Sequence, residues 1–198
     1  MSKNATTKNT KSSPKKPLDS TSNPSKSTKS SPKSTSKNTS KSADFITDFT
    51  QQENNLLMRI LVAPQMANFS GVMHGGELLK LFDQVAYACS TRFCGIGTVT
   101  MSVDNVAFYQ PIPIGSLLSL YASVNFTGKT SCEVGIKAVA QNLKDRSETH
   151  CASGYYTMVA KQDGKTTLMR DFTPKSAEEK RRYSNALKRR ELRGNLQK

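Results

Sequence analysis

Tryptophan is absent from this chain of 198 residues, histidine occurs twice and cysteine four times. Cys89, Cys94, Cys132 and Cys151 show no Cys-x-x-Cys spacing, so neither a disulfide framework nor a zinc site is indicated, and no metal is expected. Reduced, mostly buried thiols follow. Long apolar runs are missing as well, since none approaches the roughly 18 residues that a membrane span needs. The first 43 residues lack the apolar stretch of a secretory signal and the arginines and amphipathic spacing of a mitochondrial presequence. A cytoplasmic protein with no membrane partner is expected.

Serine, threonine and lysine fill that first stretch instead: they make up 30 of its 43 residues, with no aromatic side chain and only Met1, Ala5, Leu18 and Ala43 from the apolar set. So little apolar surface cannot offset the entropy of ordering the chain, and residues 1–43 are expected to form a disordered tail. Charge divides along the same line. The tail carries ten Lys against Asp19, residues 175–198 carry nine Lys or Arg against three Glu, and the whole chain is +14, which leaves residues 44–174 at −1. The high pI therefore describes the ends of the chain. Lysine-rich arms attract phosphate whatever its sequence context. This arm has no aromatics for stacking and is interrupted by Pro14, Pro17, Pro24 and Pro32, so it offers charge without readout, and no specific nucleic acid is expected as a partner.

Met58 to Val62 is a short apolar run ended by Pro64, which suits a first strand, and Gln65 to His74 reads as a loop. Gly75-Gly76 opens a segment from Glu77 to Phe93 made of good helix formers, with no proline inside and Gly95 just past its end. Its apolar positions wrap most of the circumference and leave a narrow polar stripe through Glu77, Lys80, Gln84 and Thr91, so more than one neighbour should bury it. Four alternating runs follow, each with the period of two of a strand that buries one face. The first has Val99, Met101 and Val103 on its apolar face and then switches parity to Val106 and Phe108, which a bulge near Asn105 explains. The others are Leu118 to Phe126, Cys132 to Ala140 and Thr149 to Ala160. Turn residues separate them at Pro111–Gly115, Thr127–Lys129 and Lys144–Arg146. Ten-residue strands at about 3.4 Å per residue outrun a helix of about 19 residues at 1.5 Å, so a long antiparallel sheet can wrap one central helix. Ser176 to Arg193 reads as a second helix, with Pro174 and Ser176 at its start and Glu178 and Glu179 in its first turn.

The order of short strand, buried helix and strand meander suggests the hotdog fold, an α+β architecture in which a long antiparallel sheet wraps a central helix, here with a C-terminal helix added. The motifs Asn68-Phe-Ser-Gly71-Val-Met-His74-Gly75-Gly76, Leu81-Phe-Asp83-Gln-Val-Ala86, Val99-Thr-Met-Ser-Val-Asp104 and Gly128-Lys-Thr-Ser-Cys-Glu133 resemble, in that order, signatures of the hotdog acyl-CoA thioesterases, both the bacterial short-chain type and the brain-type enzyme. The resemblance covers about residues 56–193 and leaves the tail without a counterpart. Three parts follow: the tail over 1–43, a hotdog domain over 44–174 and a basic C-terminal helix over 175–198.

This resemblance implies hydrolysis of an acyl-CoA to the free acid and CoA, with no cofactor beyond the CoA of the substrate, in a homodimer packed further into a hexamer of three dimers. It implies that Asp83 is the catalytic carboxylate, acting as general base on water or as nucleophile through an anhydride. The helical wheel alone puts Asp83 about 60° from Lys80, beside the polar stripe, where a solvated residue is expected. Asn68, by itself a turn-former, is implied as the second catalytic residue, its amide orienting water or the thioester carbonyl while it faces Asp83 of the other subunit. At Gly75 and Gly76 the first backbone N–H groups of the helix are placed to stabilise an oxyanion, which is compatible with the plain need for glycine in a tight turn. His74 is expected to position these groups, and His150 to be structural. Val99, Thr100 and Met101, and the turn Lys129, Thr130 and Ser131, match segments that contact CoA in related thioesterases. Arg189 or Arg190 resembles an arginine pair that reaches CoA phosphates. The plain readings of these last residues are strand, turn and solvated helix face. A non-catalytic acyl-CoA-binding module and a basic-tailed nucleic-acid-associated protein are the alternative functions, although no helix-turn-helix pattern fits residues 1–43.

Overall fold

The computed structural model describes Phe49 and residues 52–196, so the tail expected over 1–43 and the first residues of the expected 44–174 domain lie outside the described residues. The elements in chain order are β1 (Asn55–Leu61), a 3-10 turn (Pro64–Met66), α1 (Gly75–Cys94), β2 (Thr98–Phe108), β3 (Leu117–Thr127), β4 (Ser131–Gln141), β5 (Glu148–Gln162), the short β6 (Lys165–Thr166) and α2 (Ala177–Leu196). All strand pairings are antiparallel, in the order β1-β3-β4-β5-β2, with β6 added to β5. This is the hotdog arrangement. α1 buries Leu78, Leu81, Phe82, Val85, Ala86, Cys89 and Phe93 in one core with the inward residues of β3, β4 and β5, each large apolar side chain contributing about 1.5–3 kcal/mol of transfer free energy.

The ends of α1 have local causes. It begins at Gly75, before the expected Glu77, because His74 takes the N-cap position and its Nδ1 accepts the Gly76 N–H at 2.9 Å. It ends where Gly95 adopts a φ of 75° and donates its N–H to the Thr91 carbonyl at 2.9 Å, a left-handed cap that a β-carbon would strain. The four thiols are free, and burial raises Cys132 and Cys151 and pushes Cys89 up to about 12.

Two expectations about burial need correction. Val99, Met101 and Val103 are not buried in the protomer: they are 46, 70 and 50 % exposed. β2 is an edge strand whose pairing with β5 slips between Thr100 and Ser102 and again between Asp104 and Ala107. The second slip is the bulge expected near Asn105, whose φ is 46°; the first was not foreseen. In addition, β3 and β4 bury both faces, since Ser119, Ser123, Asn125 and Glu133 are buried together with their apolar neighbours. The cover on the outer face is α2. A capping box opens that helix: the Glu179 N–H donates to Ser176 Oγ at 3.1 Å, and the Glu179 carboxylate accepts the N–H groups of Lys175 and Ser176 at 2.8 and 2.9 Å. Asn54 Nδ2 adds a third donor to Glu179 at 3.2 Å, which ties the helix start to the strand layer.

Candidate active site

Asp83 lies on α1 on the side facing β2, and it is exposed. Thr100 donates its hydroxyl to Asp83 Oδ1 at 2.5 Å. Thr100 stands immediately before the first β2 bulge: it pairs with Met158, while the next paired residue, Ser102, meets Thr157. Bulges re-aim side chains, and this one separates the direction of Thr100 from that of Ser102. Oδ2 of Asp83 has no donor among the described residues. Beneath the helix, Tyr156 is buried, and its hydroxyl donates to the Leu79 carbonyl at 3.4 Å. Burial first and the Asp83 charge second push this phenol up to about 12, so it stays a neutral donor at working pH.

The loop before α1 makes a second cluster. Asn68 accepts the Ser70 and Val72 N–H groups on Oδ1, at 2.8 and 3.3 Å, and its own N–H donates to the Val72 carbonyl at 2.7 Å. With Oδ1 occupied by two backbone donors, Nδ2 is the part of the amide left to face a ligand. Of the two N–H groups expected to meet an oxyanion, that of Gly76 is taken by His74 Nδ1, whereas that of Gly75 has no acceptor among the described residues. His74 thus serves as a cap. A cavity of about 270 Å³ opens beside Gly75, lined by Met73, Leu78, Phe108, Tyr109, Gln110, Pro111 and Ile112.

One protomer keeps these clusters apart. Gly75 and Asp83 are eight residues apart on α1, or about 12 Å along the axis. No hydrogen bond joins Asn68 to Asp83 within the chain. The remaining candidates gather at the Asp83 end. Val159 of β5 pairs with Val99 on one side and Ser131 on the other, and Met158 likewise pairs with Thr100 and Cys132. The Lys129-Thr130-Ser131 turn and the Val99-Thr100-Met101 segment therefore lie one strand apart, about 10 Å across the sheet. Arg190 sits over the same turn, with its guanidinium 5.2 Å from the Phe126 ring and its Nη1 2.6 Å from where a β-carbon on Gly128 would be. Arg189 points elsewhere. It pairs with Glu133 beneath the helix and stacks on Tyr155. His150, expected to be structural, bonds the Ala152 carbonyl and Ser153 Oγ through Nε2 and packs at a tilt against the Tyr109 ring, 4.9 Å between centroids.

The sequence reading missed a polar network on the outer face in which Arg193 of α2 meets Ser102, Asp104 and Thr157. Its signal was available, because Asp104 and Glu133 close two of the quoted motifs and Arg189 and Arg193 are four residues apart on one helix face. Among the described residues no group of three His, Cys, Asp or Glu stands close enough to hold a metal ion, and no helix is long and apolar enough to cross a membrane.

Comparison with known proteins agrees with this geometry. Residues 70–146 match the Thioesterase superfamily. Protein VdlD of Helicobacter pylori is 56% identical over 150 residues, covering 76% of this chain and 86% of its own length. An acyl-CoA hydrolase of Staphylococcus aureus, solved in complex with butyryl coenzyme A, coenzyme A and coenzyme A disulfide, is 30% identical with a TM-score of 0.69, over 73% of this chain and 89% of that one. An apo hexameric acyl-CoA thioesterase is 31% identical with a TM-score of 0.71, over 73% and 93%. The staphylococcal enzyme has also been solved with an aspartate, a threonine and an asparagine each replaced by alanine. The chain belongs to the hotdog-fold family of acyl-CoA thioesterases and is a thioester hydrolase of that family.

Proposed function

We propose that the protein hydrolyses acyl-CoA at a site shared by two protomers, with Asp83 and Thr100 from one and Asn68 and Gly75 from the other. The observation that carries this reading is the Thr100–Asp83 hydrogen bond. The three residues replaced in the staphylococcal enzyme are spaced 15 and 17 positions apart, the same intervals that separate Asn68, Asp83 and Thr100, which supports equivalent roles here. Sharing between protomers is supported by the two clusters' separation along α1 and by the exposed apolar side chains of the β2 edge. An unpaired edge strand of this kind invites isologous pairing with a second copy. The hexameric relative supports further packing of such dimers into a hexamer.

Thr100 fixes Oδ1 and leaves Oδ2 to take a proton from water as the water oxygen attacks the thioester carbon. The negative charge that develops on the carbonyl oxygen accepts from Asn68 Nδ2 and the Gly75 N–H, at the positive end of α1. As the C–S bond breaks, the proton passes from Asp83 to the leaving CoA sulfur. In the nucleophilic alternative the carboxylate attacks first and water then cleaves the anhydride. The cavity beside Gly75 is the seat for the acyl chain. Val99, Thr100, Met101, Lys129, Thr130, Ser131 and Arg190 line the path of CoA, whereas Arg189 serves the ion pair with Glu133.

Turnover of a panel of acyl-CoAs of increasing chain length by wild type, Asp83→Ala and Asp83→Asn tests the reading. A loss of about 10²-fold or more in kcat is expected when a positioned base is removed, with the circular dichroism spectrum unchanged. Wild-type kcat in either variant removes Asp83 from the mechanism. Acyl-CoA binding without turnover by the wild type makes the protein a binding module instead.

A further inference from the structure

Two bulges bracket the short stretch Ser102–Asp104 on β2, and Thr100 stands immediately before the first of them. Within the protomer β2 is an edge strand held by β5 alone, and its register with β5 shifts on both sides of this stretch. A brace reaches it from α2. Arg193 Nη1 donates to Ser102 Oγ at 3.1 Å, to Thr157 Oγ1 at 2.6 Å and to Asp104 Oδ2. The hydroxyls of Ser102 and Thr157 also donate to Asp104 Oδ2, at 3.3 and 3.4 Å. One carboxylate oxygen thus collects donors from β2, β5 and α2 in a half-buried position. The helix that supplies the arginine is itself fixed at Asn54–Glu179 and Glu133–Arg189.

We infer that Arg193 is a positioning residue for thioester hydrolysis: it locks Ser102 and Asp104 against Thr157, and so holds the bulge that aims the Thr100 hydroxyl at Asp83. The inference rests on the proposal that Thr100 orients Asp83. Arg193 makes its hydrogen bonds to Ser102, Asp104 and Thr157 and none to Asp83 or Thr100, so its effect on the reaction must pass through the shape of β2. A strand free to shift at Ser102 keeps its place in the sheet but loses the aim of one hydroxyl.

The test uses the full chain and compares Arg193→Ala, Arg193→Lys, Thr100→Ala and the double variant Thr100→Ala/Arg193→Ala, with Leu192→Ala as a control on the exposed face of the same helical turn. Arg193→Ala is expected to lower kcat about tenfold with KM held within about twofold, because misplacement of a reacting group costs rate and not ground-state binding. Arg193→Lys should recover most of the loss, since all three bonds leave from one nitrogen that an ammonium can replace. In the double variant the second change should cost less than about twofold, because residues acting through one group are not additive. Additive losses, a loss confined to KM, an unchanged kcat in Arg193→Ala or an equal loss in Leu192→Ala each overturns the inference. Should Arg193→Ala fail to fold, Ser102→Ala removes an acceptor from the strand side, and the same kcat loss and non-additivity with Thr100→Ala are required of it. A wild-type kcat in Thr100→Ala itself would instead refute the underlying reading of the site, and these two failures are distinct in the same data set.

Discussion

Arg189 holds both oxygens of Glu133, with Nη2 2.6 Å from Oε1 and Nε 3.1 Å from Oε2, while its guanidinium lies 3.6 Å over the Tyr155 ring. Glu133 is 5 % exposed, and its only other donor among the described residues is Asn125 Nδ2 at 3.1 Å. Removing one partner of a buried pair leaves an uncompensated charge, so Arg189→Ala should cost about 3 kcal/mol of folding stability. Replacing both partners at once, Glu133→Gln with Arg189→Met, should cost less than Arg189→Ala alone. Urea unfolding midpoints at neutral pH decide this, and a double variant less stable than the single one would show that the pair contributes more than charge compensation.

A shared site can be rebuilt from two broken ones. Asn68→Ala and Asp83→Ala subunits, each inactive alone, should regain about a quarter of wild-type activity after equimolar mixing with free exchange, since half of the dimers are then mixed and each holds one intact site. Activity that stays at the level of the separate variants after exchange has been verified by mass spectrometry would place both residues in one protomer's own site.

Acid should release the start of α2. Burial pushes Glu179 up, but the Ser176 and Lys175 N–H groups and the Asn54 amide outweigh it and hold the carboxyl below the ordinary glutamate range. A depressed carboxyl stabilises the fold above its unfolded value of about 4.3, and that stability is lost as pH falls through the lower folded value. Glu179→Gln should therefore be less stable than wild type by about 1 kcal/mol near neutrality. The gap should close below about pH 4. Parallel urea titrations of the two proteins across that range measure it, and a gap that widens on acidification reverses the assigned sign.

The lysine-rich residues 1–43 should be dispensable for chemistry. Deleting them is expected to keep kcat/KM within about threefold at 0.15 M salt. Long-range attraction of an anionic substrate acts over about 30 Å at 0.01 M salt but only about 8 Å at 0.15 M, so any loss should be confined to low salt. A large loss at the higher ionic strength would make this segment part of the working enzyme.

The central helix and the strand meander were legible because their determinants are local: Gly75-Gly76 and Gly95 bound α1, and apolar alternation with turn residues marks β3, β4 and β5. Which sheet faces are covered was not legible. Alternation predicts that Val99, Met101 and Val103 share a side, but the bulge between Thr100 and Ser102 breaks that parity: Val99 pairs with Val159 and Val103 with Tyr156, on opposite faces of β5, and all three remain exposed on an edge strand. The cover over β3 and β4 was hidden for another reason, since the inward stripe of α2 runs through Glu179, Tyr183, Ala186, Arg189 and Arg193 and reads as solvated. Gly135, which breaks the β4 alternation, is explained only in three dimensions: a β-carbon there would fall 2.4 Å from Asn125 Nδ2. In the candidate site, Asp83 and Asn68 came from motif resemblance. The Thr100 bond to Asp83 depends on a bulge that no periodicity marks, and the capture of the Gly76 N–H by His74 depends on a single ring orientation.

The two arginine clamps also impose an order on synthesis. Glu133 leaves the ribosome 56 residues ahead of Arg189, and Asp104 leaves 89 residues ahead of Arg193. At about 5–20 residues per second, the nascent sheet spends several seconds with two carboxylates on a surface that the finished protein keeps partly dry. Desolvating them before their partners arrive is costly, so the outer face stays wet and open until the second helix emerges. Closure of that face is then a late step, and a chain arrested before residue 189 would present the bare strands of β3 and β4 to its neighbours on the polysome.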